Sequence, residues 1–195
     1  NEKLDYQNIV IDEAQDYSIF TYYVLKKIFE KAKFNMYGDL AQAIYPYRSV
    51  NSWDELNKCI FENQCNLLEL NKSYRTTIEI TETANNVLDL LDLHIADPVI
   101  RHGQKISYFE SYDNSNIKIE KIKEWLDNGY KTIAIICKND KEADIVHSEL
   151  LKMGINSKHI TKEDNKYENG VFVLSVASSK GLEFDCVVIN DASSN

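Results

Sequence analysis

Asn8-Ile-Val-Ile11-Asp12-Glu13-Ala14-Gln15-Asp16 is the stretch whose reading decides the fold. Three consecutive aliphatic residues, two of them isoleucine, stop at acidic ones, which reads as a short buried strand. Such a strand delivers two adjacent carboxylates at its C-terminal end, where open α/β sheets place ligands. Asp12 offers the hard oxygen that Mg²⁺ takes, directly or through water. Glu13 is then available to orient or deprotonate a water molecule. The plain alternative is an acidic helix start beyond a strand, and the dipeptide alone does not separate the two.

Outward from this stretch, strand and helix patterns alternate. Apolar positions 20, 24, 25 and 28 have helical spacing within Tyr17 to Ala32. Phe34 to Tyr37 predicts a second strand, ending at Gly38, and Trp53 to Phe61 a helix. Leu67 to Leu70 predicts a strand, then Thr76 to Leu91 a helix with Thr76 or Thr77 as N-cap and Glu79 in its first turn. Beyond Pro98 come strands at Ile106 to Phe109, Thr132 to Cys137, Val171 to Val176 and Cys186 to Ile189. Helices are expected at Ile117 to Leu126 and Asp140 to Met153, the latter stopped by Gly154. Thr161 to Gly170 is a polar loop. This alternation predicts an α/β protein with a mainly parallel, doubly wound sheet.

Composition agrees. The 195 residues are 44% hydrophobic and 27% charged, which excludes a disordered chain. Only 6 Gly and 2 Pro argue against an all-β protein of many tight turns. No apolar run approaches the ~18 residues that span a bilayer. The first residues have neither the basic nor the apolar region of a signal peptide. The 4 cysteines form no CxxC pair, and Cys137 and Cys186 lie in apolar runs as buried thiols. The expected compartment is the cytoplasm. A net charge of −9 means that any nucleic-acid contact is local rather than a basic stripe. Residues 1–71 carry 7 basic and 11 acidic groups and the remainder 15 and 20, so charge marks no boundary.

Three further stretches carry chemistry. In Tyr37-Gly38-Asp39-Leu-Ala-Gln42-Ala-Ile44-Tyr45-Pro46-Tyr47-Arg48, polar groups again follow a strand end. Gln42 can hydrogen-bond a terminal phosphate oxygen or the attacking water. Tyr45, Tyr47 and Arg48 form an aromatic and basic cluster able to stack on single-stranded bases, or else a core-facing aromatic loop. In Asn71-Lys72-Ser73-Tyr74-Arg75-Thr76, the Arg75 guanidinium precedes a helix and can clamp a phosphate in bidentate fashion, or form a surface ion pair. In Ser175-Val-Ala177-Ser178-Ser179-Lys180-Gly181-Leu182-Glu183-Phe184-Asp185, a strand enters a Ser-rich turn followed by Lys-Gly and a carboxylate. Its hydroxyls and amides can bind phosphates and Glu183 a sugar hydroxyl, or the segment is an N-capped short helix. The four histidines show no HExxH spacing.

In this order the four motifs resemble those of the superfamily 1 DNA helicases of the UvrD/Rep/PcrA type. Asp12 to Asp16 is similar to motif II, Gly38 to Arg48 to motif III, Asn71 to Thr77 to motif IV and Ser175 to Asp185 to motif V. The wording of motifs II and V resembles the HelD (helicase IV) branch most, whose members include RNA polymerase recycling motors. The resemblance implies a RecA-like, three-layer α/β/α fold. Residues 1–71 would be the C-terminal part of a first motor domain and residues 72–195 most of a second. It implies ATP and Mg²⁺ as cofactors, with Asp12 on the metal, Glu13 activating water, Gln42 and Arg75 on the γ-phosphate and Glu183 on the nucleotide sugar. Tyr47 stands where the family stacks an aromatic on a DNA base. Arg48, Ser178 and Lys180 fall among the nucleic-acid contacts. The implied partner is single-stranded or partly duplex DNA, with RNA polymerase as the alternative.

Departures qualify the resemblance. No G-x-x-x-x-G-K-[ST] occurs, since none of the glycines at 38, 103, 129, 154, 170 and 181 is followed by Lys. No motif VI follows motif V. Ala177 replaces a His common in motif V. Between 161 and 170 there is room only for a loop, not for the large domain that UvrD-type enzymes insert there. The expectation is a fragment of a longer motor, inactive by itself.

Overall fold

Parallel pairing runs through every sheet in the computed structural model, which describes residues 6–44, 47–109, 114–161 and 168–192. The fold is mixed α/β with parallel sheets, consistent with a RecA-like fold. The chain divides into two compact units, Asn1–Ser107 and Tyr108–Asn195. The motifs set a boundary near residue 72, but residues 72–107 group with the first unit.

In the first unit, β1 (Asn8–Ile11) pairs with β2 (Lys33–Met36), with Ile9 opposite Phe34 and Ile11 opposite Met36. The connection is α1 (Ile19–Ile28), whose N-cap Ser18 accepts from the Thr21 N–H at 3.2 Å. Two parallel strands joined by one helix make a βαβ unit. Its core gathers Ile11, Ala14, Tyr22, Val50, Leu56 and Phe61, the last two from α2 (Trp53–Phe61). Strand alternation sends Val10 to the opposite face, where it is 68% exposed.

Leu67 to Leu70 is not a strand: Leu68 is 87% and Leu70 95% exposed, with no strand beside them among the described residues. Pairing begins only at Asn71, whose carbonyl accepts from the Asp97 N–H at 2.6 Å. It continues as β3 (Lys72–Ser73) against β4 (Asp97–Pro98). Helix α3 (Ile78–Leu90) links them. Ile106 to Phe109 likewise forms no strand and is exposed. An apolar run without a neighbouring edge has no hydrogen-bond partners for its backbone, whatever its propensity.

The second unit holds a four-stranded sheet in the order β6-β7-β5-β8. Its strands are β5 (Thr132–Cys137), β6 (Ser157–Ile160), β7 (Gly170–Ser175) and β8 (Cys186–Ile189). Ile133, Ile135, Cys137, Val171 and Val173 face α4 (Asn114–Asp127) and α5 (Asp140–Lys152). Ala134, Phe172 and Leu174 face the other way, onto Ile160, Leu182 and Phe184. From β5 to β6 the chain moves one way across the sheet, and from β7 to β8 the other. The helix α5 and the 182–184 segment accordingly pack on opposite faces. Both helices lie on one face, so the third layer is thin among the described residues. Strand β6 escapes sequence reading because its Ser-Lys-His-Ile has only one apolar residue, although Ser157 and Ile160 are both buried. The loop expected at 161–170 lies largely outside the described residues.

Phe172 is fully buried in the centre of this sheet, its ring 5.9 Å from that of Phe184. Truncating a buried Phe costs ~3–5 kcal/mol. Phe172→Ala is expected to lose that much stability, read from the midpoint of urea unfolding followed by tryptophan fluorescence.

Candidate nucleotide and nucleic-acid site

Past β1 the chain turns sharply. Glu13 adopts φ 50° and ψ 41°, the left-handed conformation that a residue with a Cβ holds only when its surroundings impose it. The surroundings do so on three sides. The Glu13 N–H donates to Asp12 Oδ1 at 2.9 Å. The Ala14 N–H donates to the Tyr37 carbonyl at 2.8 Å, and the Tyr37 N–H to the Ile11 carbonyl at 2.9 Å. The buried Tyr22 hydroxyl donates to the Ala14 carbonyl, and burial pushes that phenol well above its ordinary range. A short 3-10 turn, Ala14–Asp16, follows. Asp12 is therefore exposed at the C-terminal edge of β1, and Glu13 is half-buried beside it.

Gln15 is fully buried. Its Nε2 donates to Glu13 Oε2 at 2.7 Å, and its Oε1 accepts from the Asp39 N–H at 3.1 Å. Its backbone carbonyl accepts from the Val50 N–H at 3.0 Å. Gly38 leaves room for this amide: a Cβ there would stand 2.5 Å from Gln15 Oε1 and 3.1 Å from the Ala14 nitrogen. Asp39 then caps the 3-10 turn Leu40–Gln42, accepting from the Ala41 N–H at 2.9 Å and from Gln42 Nε2 at 2.8 Å. The structure thus joins Asp12, Glu13 and Gln42 through two residues, Gln15 and Asp39, to which the sequence reading assigned no role. The signal for Gln15 was its place in the quoted motif.

Tyr47 is 80% exposed, and Arg48 is exposed beside it. Tyr45 and Pro46 lie outside the described residues. Arg75 is exposed in the β3–α3 connection, where its carbonyl accepts from Arg101 Nη1 at 3.3 Å. Thr77 occupies the N-cap position of α3 without a side-chain capping bond. Glu79 does the anchoring: its carboxylate accepts from the Gly103 N–H at 2.9 Å and meets His102 Nδ1 at 3.2 Å. Bonding to its own backbone amide first, and to Gly103 next, lowers that carboxyl from 4.5 to about 2.

In the second unit the Ser-rich turn is α6 (Val176–Ser179), capped by Ser175. Ser178 is buried, its N–H donating to Ser175 Oγ at 3.3 Å with the two hydroxyls 3.1 Å apart. Its hydroxyl serves the cap within the turn. Lys180 is half-buried and Glu183 exposed. Asp185 staples β8 to β5: one carboxylate oxygen accepts from the Lys131 and Thr132 N–H groups at 2.8 and 2.9 Å. Those two amides, Thr132 first, hold its carboxyl below the usual value. At the C-terminal edge of this sheet, Lys118 donates to Asn190 at 2.7 Å, and Asn190 donates to Glu142, which also accepts from the Lys138 N–H. Burial pushes the Cys137 thiol up to about 12 and the partly buried Cys186 to about 11.

Asp12 fits a hydrated Mg²⁺: it is an exposed carboxylate with one oxygen engaged by a backbone amide, and Mg²⁺ keeps several waters on one or two carboxylates. Among the described residues no group of three or more His, Cys, Asp and Glu side chains could hold a metal by itself. No helix there is long and apolar enough to cross a membrane.

Comparison with known proteins bears on the family. Residues 1–58 match the family described as the UvrD/REP helicase N-terminal domain. The chain is also similar to the RecBCD enzyme subunit RecB of Haemophilus influenzae, at 25% identity over 220 residues. That match takes in 87% of this chain and 18% of RecB, so the chain spans less than a fifth of that relative. Together these findings support a relationship to the UvrD-like superfamily 1 helicases. The family match covers Asp12, Glu13, Gln42, Tyr47 and Arg48, while Arg75 and the motif V residues lie outside it.

The Glu79 clasp sets a pH dependence. A depressed carboxyl contributes stability that is complete above its unfolded value and lost as pH falls through its folded value. The stability difference between the wild type and Glu79→Gln is expected to be full above pH 4.5 and to vanish as pH falls through about 2. Thermal melts recorded across that range measure it.

Proposed function

We propose that this chain is the nucleotide-hydrolysing and strand-contacting portion of an ATP-driven motor that moves on single-stranded DNA. By their motifs, residues 1–71 are the C-terminal part of a first RecA-like motor domain and residues 72–195 most of a second, although residues 72–107 group with the first compact unit. The observation that carries the reading is the constrained Glu13, held at the edge of β1 and linked through Gln15 and Asp39 to Gln42. In it, Asp12 holds Mg²⁺ of Mg²⁺–ATP, which neutralises charge on the transferring phosphoryl group when bound. Glu13 accepts a proton from the attacking water. Gln42 and Arg75 contact the terminal phosphate, and Glu183 the sugar. Tyr47 and Arg48 meet the strand, with Lys180 and the Ser178 turn serving the second unit's share of it. An RNA polymerase-directed motor of the HelD kind has no observation here that favours it.

Phosphoryl transfer rests on positioning and charge stabilisation by several groups together. The sequence has no P-loop to cradle the phosphates. The 195-residue chain alone is therefore expected to release no phosphate from ATP, whereas the full-length protein does so and is stimulated by single-stranded DNA. In the full-length protein Glu13→Gln is expected to abolish release while leaving ATP affinity nearly unchanged. Phosphate release and equilibrium nucleotide binding measure the two quantities. Turnover by the isolated chain that Glu13→Gln abolishes would overturn the reading.

The exposed Tyr47 ring supplies a stacking platform, and base–aromatic stacking is worth ~1–3 kcal/mol per base. Tyr47→Ala is expected to weaken single-stranded DNA binding by that amount with nucleotide affinity retained. Fluorescence anisotropy on an oligonucleotide tests it, and unchanged binding would return Tyr47 to a role in the loop's own packing.

A further inference from the structure

Gln15 has more polarity than its burial needs. A fully buried side chain is ordinarily apolar, and an amide there is tolerated only when its hydrogen bonds are made. A residue whose task was to fill space would bond the nearest backbone. Gln15 instead sends one proton 2.7 Å to a carboxylate at the rim of the sheet, while its oxygen takes the N–H of Asp39 at 3.1 Å. Asp39 in turn receives Gln42 Nε2 at 2.8 Å. Glu13 and Gln42 are thereby linked through the Gln15 amide and through Asp39, whose backbone N–H meets Gln15 and whose carboxylate meets Gln42. The missing Cβ at Gly38 keeps the passage open.

We infer that Gln15 is a positioning residue, which ties the orientation of the Glu13 carboxylate to the position of Gln42 through Asp39. The inference rests on the nucleotide-hydrolysis reading above and deepens it. Glu13 and Gln42 act on the same water and phosphate from two separate loops. A displacement of either loop, by nucleotide or by a bound strand, is transmitted to the other side chain through the Gln15 amide, beside the backbone bond from Ala14 to Tyr37 that joins the same loops. Gln15 itself, being buried, touches neither water nor phosphate.

The test uses the full-length protein with Gln15→Leu, Gln42→Ala, the double variant and Gln15→Met. Gln15→Leu is expected to lower kcat for phosphate release by roughly 10- to 100-fold, as a misplaced catalytic group does, with KM for ATP unchanged. Because the relay acts as a unit, the double variant is expected to be no slower than the slower single variant. Hydrogen exchange at the Asp39 amide should accelerate in Gln15→Leu. Gln15→Met keeps the length of the side chain but neither donates to Glu13 nor accepts from Asp39 as the amide does. It should therefore lose turnover and protection at Asp39 as Gln15→Leu does, and it serves if Gln15→Leu does not fold. Unchanged kcat in a folded Gln15 variant, or losses that multiply in the double variant, would overturn the inference. If the wild type itself turns over no ATP, the nucleotide reading fails. Exchange at Asp39 then decides the link alone, and unaltered protection in Gln15→Leu overturns it.

Discussion

A single buried amide holds the first unit's site together. Removing an amide from water without replacing its hydrogen bonds costs a few kcal/mol, of order 1–3 by mutational measures. Gln15 can meet that requirement only when the turn after β1 and the turn after β2 lie side by side, since its donor and acceptor belong to different turns. The backbone bonds Ala14 to Tyr37, Tyr37 to Ile11 and Val50 to Gln15 then fall into register. The left-handed Glu13 is the local consequence. Its backbone conformation is unfavourable in isolation and is imposed by partners on both sides.

The second unit is organised differently. Its strength lies in apolar burial on both faces of a parallel sheet, with β5 in the middle and side chains of β5 and β7 alternating between two clusters. Its polar groups hold edges rather than the centre. Asp185 fastens the start of β8 to the start of β5, and Asn190, Glu142 and Lys118 fasten the opposite end of those strands. Rigid strands fastened at both ends give the connection from Ser175 to Asp185 a fixed platform, from which Lys180 and Glu183 project.

Legibility followed physical range. Strands β1, β2, β5, β7 and β8 and helices α1, α2, α3, α4 and α5 are readable because burial on a regular lattice writes a period into the chain. The run Leu67 to Leu70 misled for the same reason: it has the residues of a strand, but a strand exists only beside another, and no neighbour is there. Strand β6 shows the converse. A mostly polar tetrapeptide becomes a strand because the free edge of β7 accepts it. Ser178 had the residue type for a phosphate contact, yet the helix start beside it took up its N–H and hydroxyl first.

By itself the sequence determined the α/β class, the parallel sense of the sheets and the ends of strands where chemistry collects, because these depend on local pattern and on where acidic and polar residues interrupt it. Asp12, Glu13 and Gln42 were visible on that basis. Only the tertiary structure decided how those residues are joined, that Gln15 and Asp39 form the connection, and that residues 72–107 group with the first unit. Gln15 and Asp39 are 24 residues apart, and a hydrogen bond over that separation leaves no trace in either neighbourhood. It exists because two strands pair and bring their following turns within reach of one side chain.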